Sequence, residues 1–431
     1  MTEPKRVGEL KCQLQPYLKQ LKTSVISCVR SNEKVSLGKP FPADTDVYEI
    51  ELEDTILFPE GGGQPCDLGF INESPVYAVV RKGLKCIHYT ISSFDIGSVV
   101  NIKIDFKRRW DHMQQHSGQH LLSAVFEKLY DLETTSWLLG DLKCYIELPI
   151  SSKKLSKDMV QNAEKECNRL IREALSFAVE SFDLSDPTVA RPSSIPDNYT
   201  DGILRYVCID GYDRNPCCGT HVEKTSHLQA VKLLNIENNG NNSLRLFFNF
   251  GDRIVAQLQA SFDRDLEINT LLSTRPEEFL SKITLLKQQS RDATKQLKKL
   301  SGELAQLSVQ QAISDLEKET VVAIFKTGVD PDFIKIAQIA LKPWIAKHSK
   351  EDAEPRALIL SACAGSESSG PVVVFGHPQL VPKVVEHISG TGSLKGAMAG
   401  DSKWQGKSSA LPALYKKLAS ISLAFNDTTL S

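Results

Sequence analysis

The sequence predicts an α+β multidomain protein: an N-terminal β-barrel, a metal-binding α+β domain, a long coiled helix and a C-terminal α/β module. Three observations predict it. Short β-branched runs alternate with turn residues through residues 10–105. Two histidine motifs, His116-Ser-Gly-Gln-His120 and Cys217-Cys-Gly-Thr-His221, stand far apart, the first on a helix-like run and the second between strand-like runs. A 4-3-4-3 apolar spacing then runs from Phe279 to Leu307, ahead of a glycine-rich tail. The implied boundaries are 1–105, 106–260, 261–317 and 318–431.

Composition narrows the class. A chain of 431 residues is too long for one ordinary core. Hydrophobic residues at 41% and charged residues at 24% describe a soluble globular protein. The formal net charge of −2 excludes a global attraction to polyanions, so any nucleic-acid contact must be a local patch. The amino terminus has no apolar signal core, and no uncharged run is long enough to span a bilayer. Ten cysteines lie without framework spacing, which suits a reducing compartment and a cytoplasmic location.

In the barrel region, 23–27 and 47–52 read as strands, and Phe58-Pro-Glu-Gly-Gly-Gly-Gln-Pro65 is a loop whose glycines permit positive φ and close backbone approach. A helix is expected to start near Asp111, with Gln114 completing a capping box. Leu121, Leu122, Val125, Phe126 and Leu129 form its apolar stripe. His116 and His120, about 40° apart around the axis, lie nearly opposite that stripe. They must therefore face solvent or a second cavity.

Residues 157–177 read as a helix, and 204–210 and 244–250 as strands flanking the second motif. A long helix is expected from about 274, where Thr274 and Glu277 offer another capping box. Phe279, Ile283, Leu286, Ser290, Ala293, Leu297, Leu300, Leu304 and Leu307 make its seam, with lysines and Arg291 outside it. That basic face reads more simply as solvated than as an RNA contact. The tail carries a glycine-rich, basic run from Gly392 to Lys407.

Two imidazoles at i, i+4 and a thiolate with an imidazole at the same spacing make an N₃S set for a borderline-soft divalent ion. Zinc is the default occupant, one per chain, with Cys217 rather than Cys218 as the ligand. Four protein ligands usually close a site, so a purely structural metal competes with a catalytic one. No His-Glu-x-x-His pattern is present, which argues against protease chemistry.

At these residues the chain resembles the editing domain of alanyl-tRNA synthetases, and more closely the free-standing alanyl-tRNA editing proteins. The His-x₃-His and Cys-x₃-His motifs, the 59–65 loop, the 112–122 run and the strand end from Arg245 to Gly251 carry the resemblance. The long helix and Gly396-x₃-Gly400-x₄-Gln405-Gly406 are similar to the synthetase's C-terminal region. The resemblance implies a zinc-binding editing domain and a trans-editing hydrolase that deacylates Ser-tRNA(Ala), and by extension Gly-tRNA(Ala). An aminoacylation domain ahead of the barrel is not expected. His116, His120, Cys217 and His221 are implied as both metal ligands and catalytic residues. Gly61, Gly62, Gly63, Gln64, Arg108, Arg109, Thr220 and Arg245 are implied on the substrate side, the arginines with Lys107 toward phosphates. The tail implies a homodimer contact. A silent tRNA-binding module with structural zinc, and a hydrolase of small esters, are the readings that compete.

Overall fold

Alternating burial closes the N-terminal strands into a barrel. In Val99–Ile104 the alternate residues Val100, Ile102 and Ile104 point inward while their neighbours face out. The computed structural model describes residues 3–31, 38–42, 45–149, 155–186, 189, 191–192, 202–240, 243–330, 332–350, 353–363, 369–389, 394–421 and 425. Gly392 and Ser393, which open the expected glycine-rich run, lie outside the described residues. The chain forms two compact units, 1–266 and 267–431.

In the first unit a short helix α1 (Lys11–Leu14) precedes the strands β1 (Gln20–Arg30), β2 (Tyr48–Leu52), β3 (Gly69–Ile71), β4 (Ser74–Lys82), β5 (Lys85–Thr90) and β6 (Val99–Ile104). They close as a six-stranded barrel in the order β1-β2-β5-β4-β3-β6, with β6 pairing back to β1 from Gln20↔Lys103. Val25, Ile50, Ile71, Val79 and Ile102 fill it without exposure.

Helix α2 (Phe106–Tyr130) follows directly. Its N-cap is Asp105, whose carboxylate accepts from Arg108 N–H at 3.2 Å, and not Asp111 as expected. Asp111 instead holds the Arg253 guanidinium at 2.7 Å. The helix starts earlier because Phe106 and Trp110 pack with Tyr17 in one aromatic cluster. Next come β7 (Ser136–Leu138), β8 (Cys144–Pro149), α3 (Lys157–Glu173), β9 (Phe177–Asp183), β10 (Ile203–Ile209), β11 (Asp213–Pro216), β12 (Val231–Asn238) and β13 (Ser243–Phe250). The helix expected over 157–177 thus ends at Glu173, and Phe177 opens a strand. Strands β12-β13-β8-β7 and β11-β10-β9 form two antiparallel sheets. Leu121, Leu122, Val125 and Phe126 of α2 join Cys167 and Leu170 of α3 and Ile146 and Phe248 of the larger sheet in one core. Leu129, expected on the same stripe, is exposed.

A further helix, α4 (Asp252–Leu272), was not foreseen as a separate element; it buries no residue, so it has no apolar face turned to a core. The second unit is built on α5 (Phe279–Asp315), β14 (Val321–Thr327), α6 (Phe333–His348), β15 (Ala357–Cys363), β16 (Gly370–Gly376), α7 (Leu380–Ser389), β17 (Leu394–Met398), β18 (Lys403–Ser408) and α8 (Leu411–Leu418). The sheet order is β14-β15-β16-β18-β17, with β14 and β15 parallel across α6 and the rest antiparallel. Thr274 does not build a capping box; its hydroxyl donates to the Glu278 carboxylate at 2.5 Å, and a 3₁₀ turn at Pro276–Glu278 leads into α5.

The expected seam of α5 is not its buried face. Ile283, Leu286, Leu297, Leu300 and Leu307 are exposed, whereas Ser301, Ala305, Val309 and Ala312 are buried and Ala305, Val309 and Ala312 share a core with Phe333, Ala337 and Leu341 of α6. Small side chains let α5 lie close to its neighbours, and that packing outweighs leucine content. The glycines of the tail have a similar reason: a Cβ on Gly406 would sit 2.3 Å, and one on Gly396 2.5 Å, from the Trp404 ring. Among the described residues no helix is long and apolar enough to cross a membrane.

Candidate metal centre and its cavity

The middle of α2 places His116 and His120 one above the other, their ring centroids 5.2 Å apart, on the side away from the helix's leucines. Cys217 and His221 come from the loop after β11. That loop is anchored where Cys217 N–H donates to the Arg205 carbonyl of β10 at 2.9 Å. Gly219 is required within it, since a Cβ would lie 2.3 Å from His116 Cε1. The potential ligand atoms of His116, His120, Cys217 and His221 all lie within 4.8 Å of one another. His116 Nε2 and His221 Nε2 each stand 3.3 Å from Cys217 Sγ.

Hydrogen bonds select the tautomer of His116. The backbone N–H of Thr220 can only donate, and it donates to Gln64 Oε1 at 3.0 Å. Gln64 Nε2 in turn donates to Thr220 Oγ1 at 2.8 Å, which fixes the amide's orientation. His116 Nδ1, 2.9 Å from that same Oε1, must therefore carry the proton and donate. Its Nε2 is left bare and aimed at Cys217, the arrangement by which an outer carbonyl orients a metal-ligating imidazole. Ser117 Oγ accepts from Val222 N–H at 3.0 Å and keeps a second lone pair for His221 Nδ1 at 3.3 Å.

These residues fit a soft divalent cation. His120 Nε2 is buried without a hydrogen-bond partner, a state that costs free energy unless something fills the valence. Burial holds His120 down to about 4 and, with neighbouring imidazoles, holds His116 and His221 well below the ordinary value, so all three are neutral donors at pH 7. Burial and the adjacent Cys218 push the Cys217 thiol up to about 12, so an incoming cation must expel that proton.

A cavity of about 820 Å³ opens beside the cluster. His120 and Cys217 belong to its wall; His116 and His221 stand behind them. Gly62, Gln119, Ser123, Thr134 and Trp137 line it, with Glu127 and Glu133 set against Arg81 and Arg205. Gln119 Nε2 donates to Ser123 Oγ at 2.9 Å, and Ser123 and Thr134 hydroxyls meet at 2.7 Å. Gln119 Oε1 remains a buried acceptor without a donor.

The other expected substrate residues divide. Gly62 reaches the cavity wall, at positive φ, and a Cβ on it would lie 2.7 Å from Cys218 Sγ. Gly61 packs against Cys218, and Gly63 lies flat on the Trp137 indole, 2.4 Å from where a Cβ would be. Gln64 and Thr220 are buried, and Gln64 links Thr220 N–H to His116. Arg109 is not a phosphate contact. Its guanidinium is fully buried against Asp67 and donates to the carbonyls of Pro16 at 2.9 Å and Ile56 at 2.6 Å. Arg108 spends its Nε on the Cys66 carbonyl at 3.1 Å, and Arg245 pairs with Glu147 at 2.7 Å on β13, outside the cavity wall.

Sequence reasoning passed over Gln119, Trp137 and Arg205. Arg205 had a signal, a charged residue inside an otherwise apolar strand; Gln119 was visible only as the residue before a ligand.

Comparison with known proteins adds an independent observation. Residues 204–247 match the model of the threonyl and alanyl tRNA synthetase second additional domain. The chain is 32% identical over 416 residues to the alanyl-tRNA editing protein Aarsd1-B of Xenopus laevis, covering 95% of this chain and 97% of that one. It is 33% identical over 410 residues to mouse (Mus musculus) Aarsd1, covering 93% and 94%. It is 30% identical over 444 residues to the putative alanyl-tRNA editing protein alaX of Saccharomyces cerevisiae, covering 94% of each. None of the ten cysteines is in a disulfide.

Proposed function

The chain belongs to the alanyl-tRNA editing protein family, and on that premise we propose that it is a cytoplasmic, trans-acting aminoacyl-tRNA deacylase. Its substrate is tRNA(Ala) carrying serine, and by extension glycine, and its cofactor is one zinc ion held by His116, His120, Cys217 and His221. The observation that carries this reading is the four-donor cluster with an unsatisfied His120 nitrogen at the edge of a polar cavity.

When bound, zinc supplies Lewis-acid polarisation of an ester oxygen. The chain's own residues do the rest. Gln64 and Ser117 keep two imidazoles turned inward. His120 and Cys217 bring the cluster to the cavity surface, and the carboxylates of Glu127 and Glu133 favour the α-ammonium of an aminoacyl group. Discrimination against alanine follows from buried polarity. Ser123 and Thr134 already bond to each other, but the buried Gln119 Oε1 beside them stays unpaired unless the substrate brings a hydroxyl, whereas a small apolar pocket cannot separate alanine from serine strongly. The four-part division at 105/106, 260/261 and 317/318 and a homodimer contact through the C-terminal region belong to the same reading; the exposed leucines of α5, just ahead of that region, offer a further face for a second copy.

The deciding experiment measures release of labelled serine from Ser-tRNA(Ala) beside Ala-tRNA(Ala), with wild type and Cys217→Ala, zinc content and folding being read on the same samples. Serine-selective release that vanishes in the folded variant is expected. Four protein ligands favour one competing reading, a silent tRNA-binding module with structural zinc. Retained tRNA affinity with zinc bound and no release from either substrate would establish that instead.

A further inference from the structure

Arg205 lies in β10, only 3% exposed, and among the described residues it has no carboxylate partner. A buried guanidinium without an acid is costly, and an apolar residue would fill a strand interior more cheaply. What Arg205 does have is a set of main-chain carbonyls. Nη1 donates to Cys218 O at 2.8 Å and Gly219 O at 2.9 Å, and Nη2 to Gln13 O at 2.9 Å. Its own carbonyl receives Cys217 N–H at 2.9 Å. The Cys218 carbonyl takes a second bond from Gln13 Nε2 at 2.8 Å, and Gln13 Oε1 is itself fixed by Gly8 N–H at 2.6 Å. Three of these bonds end on Cys218 and Gly219, the two residues between Cys217 and Thr220, and the others brace Arg205 and Gln13 behind them.

We propose that Arg205 is a positioning residue of the metal centre: its planar fork, braced by Gln13, holds the turn that presents Cys217 and His221 in the geometry a divalent cation requires. The inference rests on the zinc reading of the site and adds to it the groups that make the ligand turn rigid. Gln64 and Ser117 hold the far side of the turn, at Thr220 and Val222, which leaves Cys218 and Gly219 to the Arg205 fork and Gln13. Gly219 cannot stiffen the turn with a side chain, because a Cβ there would strike His116. A guanidinium suits the task because it reaches several carbonyls in one plane, which a single ammonium cannot do.

The test is cation affinity, measured by competition of Zn²⁺ and Co²⁺ against a chelator on the full chain, with circular dichroism to confirm folding. Wild type is expected to bind one ion. Arg205→Met should bind about 10–100-fold more weakly, the range seen when outer-shell partners are lost. Arg205→Lys, which keeps the charge and loses the fork, should also be weakened. In both, the thiolate-to-cobalt absorption band should shift or broaden, a signature that a merely structural arginine would not move. Gln13→Met should show a smaller drop in the same direction. Wild-type affinity and an unchanged band in folded Arg205→Met and Arg205→Lys would overturn the proposal. Should both fail to fold, unchanged affinity in Gln13→Met overturns it. Failure of wild type to bind either ion sinks the zinc reading first, and is told apart because it appears in the unmodified chain.

Discussion

Two arginines are buried in the same compact unit, and their surroundings differ. Arg109, where the barrel meets α2, is neutralised in place by Asp67, which also accepts from Phe58 N–H at 2.7 Å. Arg205, beneath the ligand turn, touches carbonyls alone and keeps an unpartnered Nε. The barrel junction uses its buried charge to hold two elements together and answers that charge on the spot through Asp67 Oδ2, although Asp67 Oδ1 itself has no partner. The turn leaves valences open, and the bare His120 Nε2 and Gln119 Oε1 lie in the same cavity wall. What sets the ligand turn apart is that its open groups gather at one cavity beside the four donors.

The largest effect should come from opening the closed pair. Asp67→Ala leaves the Arg109 charge buried and unanswered, a loss on the order of 3–5 kcal/mol. Urea unfolding of wild type, Asp67→Ala and Arg205→Met would read it. Asp67→Ala is expected to fall furthest in stability and Arg205→Met furthest in metal affinity; the reverse order would dissolve the contrast.

A second, smaller effect concerns protons. His88 is fully buried in the barrel, its Nδ1 donating to Ile50 O at 3.1 Å and its Nε2 accepting from Thr55 Oγ1 at 2.8 Å. Burial lowers it to about 4, below the unfolded value near 6.5. The unfolded chain therefore binds a proton between those values while the native chain does not. Stability from this group is complete above pH 6.5 and is lost as pH falls towards 4, on the order of 3 kcal/mol in all. His88→Gln, neutral throughout, should narrow the difference between urea midpoints at pH 7 and pH 5, with or without chelator. An unchanged difference would show that the barrel histidine is not closed in this sense.

Much of this was legible in the sequence, for reasons that residues make plain. The β-branched runs at 23–27 and 47–52, set among turn residues, announce the strands of a small barrel, because such side chains suit an extended backbone. The gathering of His116, His120, Cys217 and His221 into one cluster was legible because cation chemistry needs few residue types at fixed spacing. What failed were questions of partner. Asp111 has the pattern of a cap, yet the aromatic packing of Phe106 and Trp110 carries the helix back to Asp105. Arg109 has the charge of a phosphate contact, and only the fold reveals Asp67 beside it. Gln64 lies far in sequence from His116, so no local pattern shows that it sets an imidazole's proton.

The smallest expected effect tests the contrast of open and closed within one helix. On α5 the stripe of Ser301, Ala305, Val309 and Ala312 is covered, while Leu297, Leu300 and Leu307 are 46%, 61% and 63% exposed. Substituting an uncovered residue alters neither cavity nor contact, so Leu300→Gln should shift stability by no more than about 0.5 kcal/mol. Val309→Gln, which forces an amide into the core, should cost several times that. Measured at two protein concentrations, the pair also asks what covers the leucines. If a second copy does, the Leu300→Gln loss must grow and depend on concentration, because association stabilises by mass action. A small and concentration-independent loss leaves the heptad spacing as an open face, and removes the support it gives to a dimer along this helix.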